Sequence, residues 1–190
     1  MISPAPTADP APGYWVFGYG SLMWDPGFPY EAAHPALLVG YHRRFCLYSQ
    51  RYRGTPERPG LVLGLDRGGS CRGVVYQVAA EAAAATRAYL WQRELDDYAY
   101  VPKLLMVRHA GGAVRAQAFV VDRSQPQYAG ALDDDTVAGL IATGIGQRGR
   151  NRDYLENTLI HLRALGVVDR GLERLAERVR ALPDAVVPVS

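Results

Sequence analysis

Val74-Val75-Tyr76-Gln77-Val78-Ala79-Ala80-Glu81-Ala82-Ala83-Ala84-Ala85-Thr86-Arg87-Ala88-Tyr89-Leu90-Trp91-Gln92-Arg93-Glu94 changes character halfway along. The β-branched and aromatic residues up to Val78 predict a strand. Ala79 to Glu94 is rich in alanine and contains no Gly or Pro, which predicts a helix. Upstream of this switch the pattern is of strands. Tyr14 to Phe17 is the first, and Ala36 to Tyr41 continues through Arg44 to Tyr48 as one long or bent strand with Gly40 as a bulge. Gln50 to Gly60 is a polar loop whose tightest turn signal is Arg53-Gly54-Thr55-Pro56. Leu61 to Leu65 is a short strand, and Asp66-Arg67-Gly68-Gly69-Ser70 is expected to turn it into Cys71 to Val78 as a hairpin.

Downstream, Tyr100 to His109 returns to strand character, and Gly111-Gly112 turns it into Val114 to Val121. Asp133-Asp134-Asp135 opens a helix through Ile141, its acids placed against the N-terminal dipole. Asn151 is expected to cap the next helix, with Leu155, Leu159 and Leu162 on one face and Gly166 past its end. Asp169 caps the last, with Leu172, Leu175, Val179 and Leu182 inward and Pro183 stopping it. Strands segregated from helices, with hairpin-like links, give an α+β class with a largely antiparallel sheet that is open or closed into a barrel.

The chain has 190 residues and no internal repeat, which favours one domain over residues 14–190. Residues 1–13 carry Pro4, Pro6, Pro10 and Pro12 with no Lys or Arg, and are expected to be a disordered leader on a cytoplasmic protein. A net charge of +2 argues against a dedicated nucleic-acid binder, and no run of about 18 apolar residues suggests a membrane span. Cys46 and Cys71 lie far apart in no Cys-x-x-Cys pair, and fit buried thiols in a reduced compartment better than a disulfide.

A second stretch carries the chemistry. Tyr14-Trp15-Val16-Phe17-Gly18-Tyr19-Gly20-Ser21-Leu22 is a strand running into two glycines that bracket a tyrosine. Such a turn leaves backbone N–H groups bare, in a concavity suited to a carboxylate, a phosphate or a developing oxyanion. Familiar occupants can be tested. Met23 stands where a dinucleotide fingerprint needs its third glycine, and Ser21 is not in Gly-x-Ser-x-Gly. Gly144-Ile145-Gly146-Gln147-Arg148-Gly149 matches Gly-x-Gly-x-x-Gly literally but follows a helix, not a strand. There is no P-loop. His34, His42, His109 and His161 are scattered singly, without ligand spacing. Arg148, Arg150 and Arg152 form a local basic cluster, read as a solvated face. Among the carboxylates Glu94 stands out, at the end of an apolar helix after Trp91. There Asp96 and Asp97 would raise its pKa and make it a workable general base.

The stretch Val16 to Trp24, followed by Leu90-Trp91-Gln92-Arg93-Glu94, closely resembles the glutathione-specific γ-glutamylcyclotransferases, the ChaC-type family. The likeness continues through Arg43-Arg44-Phe45-Cys46, Arg53-Gly54-Thr55, Pro59-Gly60, Gly73-Val74-Val75-Tyr76, Tyr100, Tyr128-Ala129-Gly130 and Gly146 to Leu155. The resemblance implies a small mixed, largely antiparallel β-barrel flanked by helices. It also implies cleavage of glutathione into 5-oxoproline and cysteinylglycine without metal or cofactor. Carried over, Val16, Phe17, Gly18, Tyr19, Gly20, Ser21 and Leu22 bind the γ-glutamyl group and Glu94 is the catalytic acid/base. Tyr100 and Tyr154 line or support the pocket, with Arg44 and Tyr76 as further candidates. Leu95-Asp96-Asp97-Tyr98-Ala99 departs from the glycine-bearing run of many relatives, which bears on substrate preference.

The implied chemistry suits these residues. The substrate's own α-amine attacks its γ-amide carbonyl, so the protein has mainly to freeze a reactive conformer and manage protons. No covalent intermediate is needed, and no nucleophilic triad is present. Two other readings are a cyclotransferase for other γ-glutamyl amines or dipeptides, and a non-catalytic γ-glutamyl-binding or protein-interaction module on the same scaffold.

Overall fold

Five strands follow the predicted order: β1 (Tyr14–Gly18), β2 (Ala32–Ser49), β3 (Gly60–Val78), β4 (Tyr100–His109) and β5 (Gly112–Val121). They close into a barrel in the order β1-β3-β2-β4-β5. Every neighbouring pair is antiparallel except the closing one, where β1 meets β5 in parallel at Val16↔Gln117. The computed structural model describes residues 13–95 and 100–183, so the expected leader, apart from Gly13, lies outside the described residues, as do Asp96 and Asp97.

β2 and β3 run together from Ala32↔Gln77 to Ser49↔Gly60. Strands this long exceed the usual ~3–10 residues and must bend to stay on a barrel. The bend is a bulge. Gly40 alone (φ +89°) stands opposite Gly68 and Gly69 (φ +102° and +64°), and the register shifts between Val39 and Tyr41. The expected hairpin at Asp66–Ser70 is therefore corrected. Those residues stay within one strand, because the left-handed glycines kink β3 in step with Gly40 on its partner and the chain does not reverse.

Four helices are described: α1 (Ala83–Leu95), α2 (Asp134–Thr143), α3 (Asn151–Ala164) and α4 (Arg170–Ala181). Between α2 and α3 lies a two-residue ladder of β6 (Ile145–Gly146) and β7 (Gly149–Arg150). Asp133 caps α2, accepting from Thr136 N at 2.8 Å, and Asp169 caps α4, accepting from Leu172 N at 3.1 Å. Leu172 and Val179 point inward, but Leu182 stands beyond the helix end and is 36% exposed. Gly166 follows α3 in the left-handed region (φ +69°).

Asn151 does not cap α3; it is the first helical residue, behind Arg150. β1 pairs with residues 74–78 of β3, so among the described residues that edge of β3 has no strand beside it near Leu61. The fully buried Asn151 amide supplies the missing pair, with Leu61 N donating to Oδ1 at 2.6 Å and Nδ2 donating to Leu61 O at 2.7 Å. A buried backbone pair left open costs more than an open helix end, which water can satisfy.

Two large apolar clusters result, beside a small one of Cys46, Leu47, Val62 and Val121. One draws on all five strands and no helix, through Phe17, Leu38, Leu65, Val107 and Ala118, and fills the barrel. The other brings strand residues together with the helices, through Val16, Phe45, Leu61, Leu90 and Ile141. Leu155, Leu159 and Leu162 of α3 are at most 1% exposed, each burial contributing about 1.5–3 kcal/mol. Trp91 of α1 meets Phe119 of β5 edge to face, with ring centroids 5.7 Å apart, which sets the end of α1 beside the barrel. No helix among the described residues is long and apolar enough to cross a membrane.

Candidate active site

Where β1 ends at Gly18, the chain passes Tyr19 and Gly20 into a single 3₁₀ turn, Ser21–Met23. Gly18 favours close approach, since a Cβ there would lie 3.1 Å from the backbone of Leu22 as the chain folds back. The carbonyls of this loop are occupied one after another. Gly20 O accepts from Met23 N (2.8 Å), and Ser21 O accepts from Trp24 N and Asp25 N (3.2 and 2.9 Å). The buried Arg43 donates to Tyr19 O, while its Nε pairs with Asp169 at 3.1 Å. The Tyr76 hydroxyl shares its proton between Leu22 O (2.8 Å) and Met23 O (2.9 Å). The leading N–H groups of the turn, on Ser21 and Leu22, have no intrahelical partner.

Ser21 and Leu22 line a cleft whose open space, the solvent at its mouth included, is about 350 Å³. Tyr19 and Gly20 extend the same wall; Leu63 and Phe119, both buried, supply apolar lining. Glu94 enters from the end of α1, Tyr100 from the start of β4 and Tyr154 from α3.

The Glu94 side chain is only 15% exposed, and burial pushes its pKa up against the opposing pull of Arg93, whose Nε stands 3.3 Å away. The direction matches the sequence expectation, but burial is the cause among the described residues; Asp96 and Asp97 lie outside them. Burial also raises the phenols of Tyr19 and Tyr100 well above 10, with the charge of Glu94 adding to both, and raises Tyr154 to about 12. Three protonated phenols therefore surround one carboxyl. Tyr100 donates to Leu63 O at 2.5 Å, and the Arg53 guanidinium lies 4.9 Å from the Tyr154 ring centroid.

Of the residues singled out from sequence, Tyr19, Gly20, Ser21, Leu22, Glu94, Tyr100 and Tyr154 meet in this cleft. Val16, Phe17 and Gly18 do not line it. Val16 packs in the cluster shared with the helices, Phe17 sits inside the barrel, and Gly18 gives the loop room to fold back. Tyr76 stands behind the loop as its anchor. Arg44 is directed elsewhere, donating to Gly130 O at 2.9 Å with Asp66 at 3.5 Å. Residues 144–149 serve the packing of backbones. Gln147 N donates to Arg51 O and Arg148 N to Tyr52 O, and a Cβ on Gly146 would stand 2.5 Å from the Tyr52 carbonyl carbon.

Sequence reading did not pick out Leu63, Phe119, Arg43 or Arg93. The first two look like any other inward strand residues. The arginines carried a faint signal, one of an adjacent pair entering the apolar run from Phe45 and one beside Glu94, but the loop groups they hold lie far away in the chain. Among the described residues, no three His, Cys, Asp or Glu side chains gather in a way that could hold a metal ion.

Comparison with known proteins gives this geometry a context. The chain is 36% identical over 179 residues to the glutathione-specific gamma-glutamylcyclotransferase of Escherichia coli (strain K12), covering 91% of this chain and 78% of that protein. It is 32% identical over 170 residues to the protein of the same description from Schizosaccharomyces pombe (strain 972 / ATCC 24843), covering 78% and 82% of the two chains. A crystal structure of a γ-glutamyl cyclotransferase specific to glutathione from yeast shares the fold, with a TM-score of 0.80 at 24% identity over 90% of this chain and 97% of that one. The family model described as ChaC-like protein matches residues 14–182, from β1 through α4, and the chain belongs to this family.

Proposed function

We propose that the protein is a glutathione-specific γ-glutamylcyclotransferase, releasing 5-oxo-L-proline and L-cysteinylglycine, with Glu94 as general acid and base. The observation that carries this reading is one buried carboxyl, raised in pKa, sharing a small cleft with the Ser21–Leu22 turn. The relatives described above, named for this activity, support it.

The chemistry balances on one proton carrier. The α-ammonium of the γ-glutamyl group gives a proton to Glu94, and the freed amine attacks the γ-carbonyl carbon. A C–N bond forms within the substrate, closing a five-membered ring, and the carbonyl oxygen becomes an oxyanion. Collapse breaks the bond to the cysteinyl nitrogen. In all, two protons leave the attacking nitrogen and two reach the leaving one, Glu94 relaying them. Because nucleophile and electrophile share a chain, holding a bent conformer supplies much of the acceleration. The bare N–H groups of Ser21 and Leu22 suit the α-carboxylate or the oxyanion. Tyr19 and Tyr154, kept protonated, are donors to the rest of the γ-glutamyl group, while the Tyr100 hydroxyl, whose proton goes to Leu63 O, offers its oxygen as an acceptor. Cys46 and Cys71 are free and buried, in keeping with work in the cytoplasm.

The test is to incubate pure protein with glutathione and quantify 5-oxoproline and cysteinylglycine, with other γ-glutamyl amines and γ-glutamyl dipeptides as comparators. Equimolar products, formed fastest from glutathione, are expected. Faster release from another γ-glutamyl amine overturns the glutathione assignment, and no release from any of them overturns the enzymatic one.

A further inference from the structure

A guanidinium presents five N–H groups in a fixed plane, and Arg93 aims its own at two separate parts of the site. Nε stands 3.3 Å from Glu94 Oε1. Nη2 donates to Ser21 Oγ at 3.2 Å, and Nη1 to Asp25 O at 2.8 Å and Pro26 O at 3.2 Å. Nη1 also reaches the Tyr89 hydroxyl at 2.8 Å, one turn back on α1. Consecutive residues on a helix do not face one another, so the contact between Arg93 and Glu94 reflects both side chains turning toward the same loop. That loop rests directly on α1. Gly27 (φ +73°) lies so close that a Cβ there would collide with the Tyr89 hydroxyl.

We propose that Arg93 is the positioning residue of this site, one guanidinium that holds the Glu94 carboxylate and the Ser21–Pro26 loop at a fixed separation, so that base and anion-binding wall act on the same substrate atoms. The proposal rests on reading Glu94 as the base. Arg93 also sets the charge state of Glu94. The groups facing Glu94 from the other elements are Tyr19 on the loop, Tyr100 on β4 and Tyr154 on α3, all protonated phenols. Arg93 is the cation that opposes burial there. Removing it raises Glu94 further, while a lysine keeps the charge and loses the planar fork that reaches the loop.

The experiment compares wild type, Arg93→Met and Arg93→Lys in two ways. ¹³C NMR titrates the Glu94 carboxyl in substrate-free protein, and 5-oxoproline release is followed against pH, with circular dichroism to check the fold. In Arg93→Met the titration midpoint is expected to move up, the acid limb of the rate profile to move with it, and kcat to fall on the order of tenfold to a hundredfold. Arg93→Lys is expected to keep the midpoint near wild type and to raise KM. An unchanged Glu94 titration in Arg93→Met, with kcat within threefold of wild type, overturns the proposal. The titration needs no substrate, so it separates the two claims. If wild type releases no 5-oxoproline, the functional reading fails, while a shifted midpoint still supports the coupling of Arg93 to Glu94.

Discussion

At the scale of the residue, Glu94 is a carboxyl that burial has made reluctant to ionise. The sign of its effect on stability follows. With its pKa raised in the folded protein, the native state holds the proton at pH values where the unfolded chain has released it. Stability therefore falls as pH rises from the ordinary glutamate value through the raised one, a tenfold difference in proton affinity between the two states costing about 1.4 kcal/mol. Glu94→Gln removes this dependence, so the variant is expected to match or exceed wild-type stability at pH 8. Urea unfolding at pH 4.5 and pH 8 checks it; a variant that loses stability relative to wild type on going from pH 4.5 to 8 contradicts the sign. The candidacy of Glu94 was legible because an acid closes an otherwise apolar helix after Trp91. The role of Arg93 was not, because Ser21, Asp25 and Pro26 reach it only through the fold.

At the scale of the element, the loop after β1 works by having its back held. Arg43 takes Tyr19 O, Tyr76 takes Leu22 O and Met23 O, and Arg93 takes Asp25 O and Pro26 O. Tyr76→Phe leaves two carbonyls in the interior without their donor. A loss of about 1–3 kcal/mol of stability is expected, with kcat/KM down on the order of tenfold as the turn loosens. Chemical denaturation and 5-oxoproline kinetics on the one variant check both, and full activity in Tyr76→Phe contradicts the anchoring role. The same scale shows why the hairpin at Asp66–Ser70 was misread. Gly68-Gly69 is a turn signal locally, and only Gly40 on the partner strand makes it a bulge. Local signals name a kink in the chain; the pairing partner decides whether the chain reverses.

For the whole molecule, the site exists because α1, α3 and the barrel are held in one arrangement. Asn151 is the clearest tie between α3 and β3, using both ends of its amide on Leu61. It read as a helix cap because Asn before an apolar periodic run is a start signal; its true partner lies 90 residues earlier. Asn151→Ala leaves a buried backbone N–H and C=O open and is expected to cost about 2–4 kcal/mol. Differential scanning calorimetry against wild type measures that loss, and an unchanged melting temperature contradicts the tie. The strand and helix order was legible because strand-like stretches give way cleanly to helical ones after Val78 and again after Val121. Barrel closure was implied by the family resemblance alone, since the parallel contact of Val16 with Gln117 has no local signature.

The central claim is that Glu94 moves the protons while the Gly18–Leu22 loop holds the γ-glutamyl group. The most direct measurement is the rate of 5-oxoproline release from glutathione by wild type and Glu94→Gln at saturating substrate, with circular dichroism showing both folded. The account predicts release by the wild type and a loss on the order of a hundredfold to ten-thousandfold in the variant. A folded Glu94→Gln protein that turns over at the wild-type rate would contradict it.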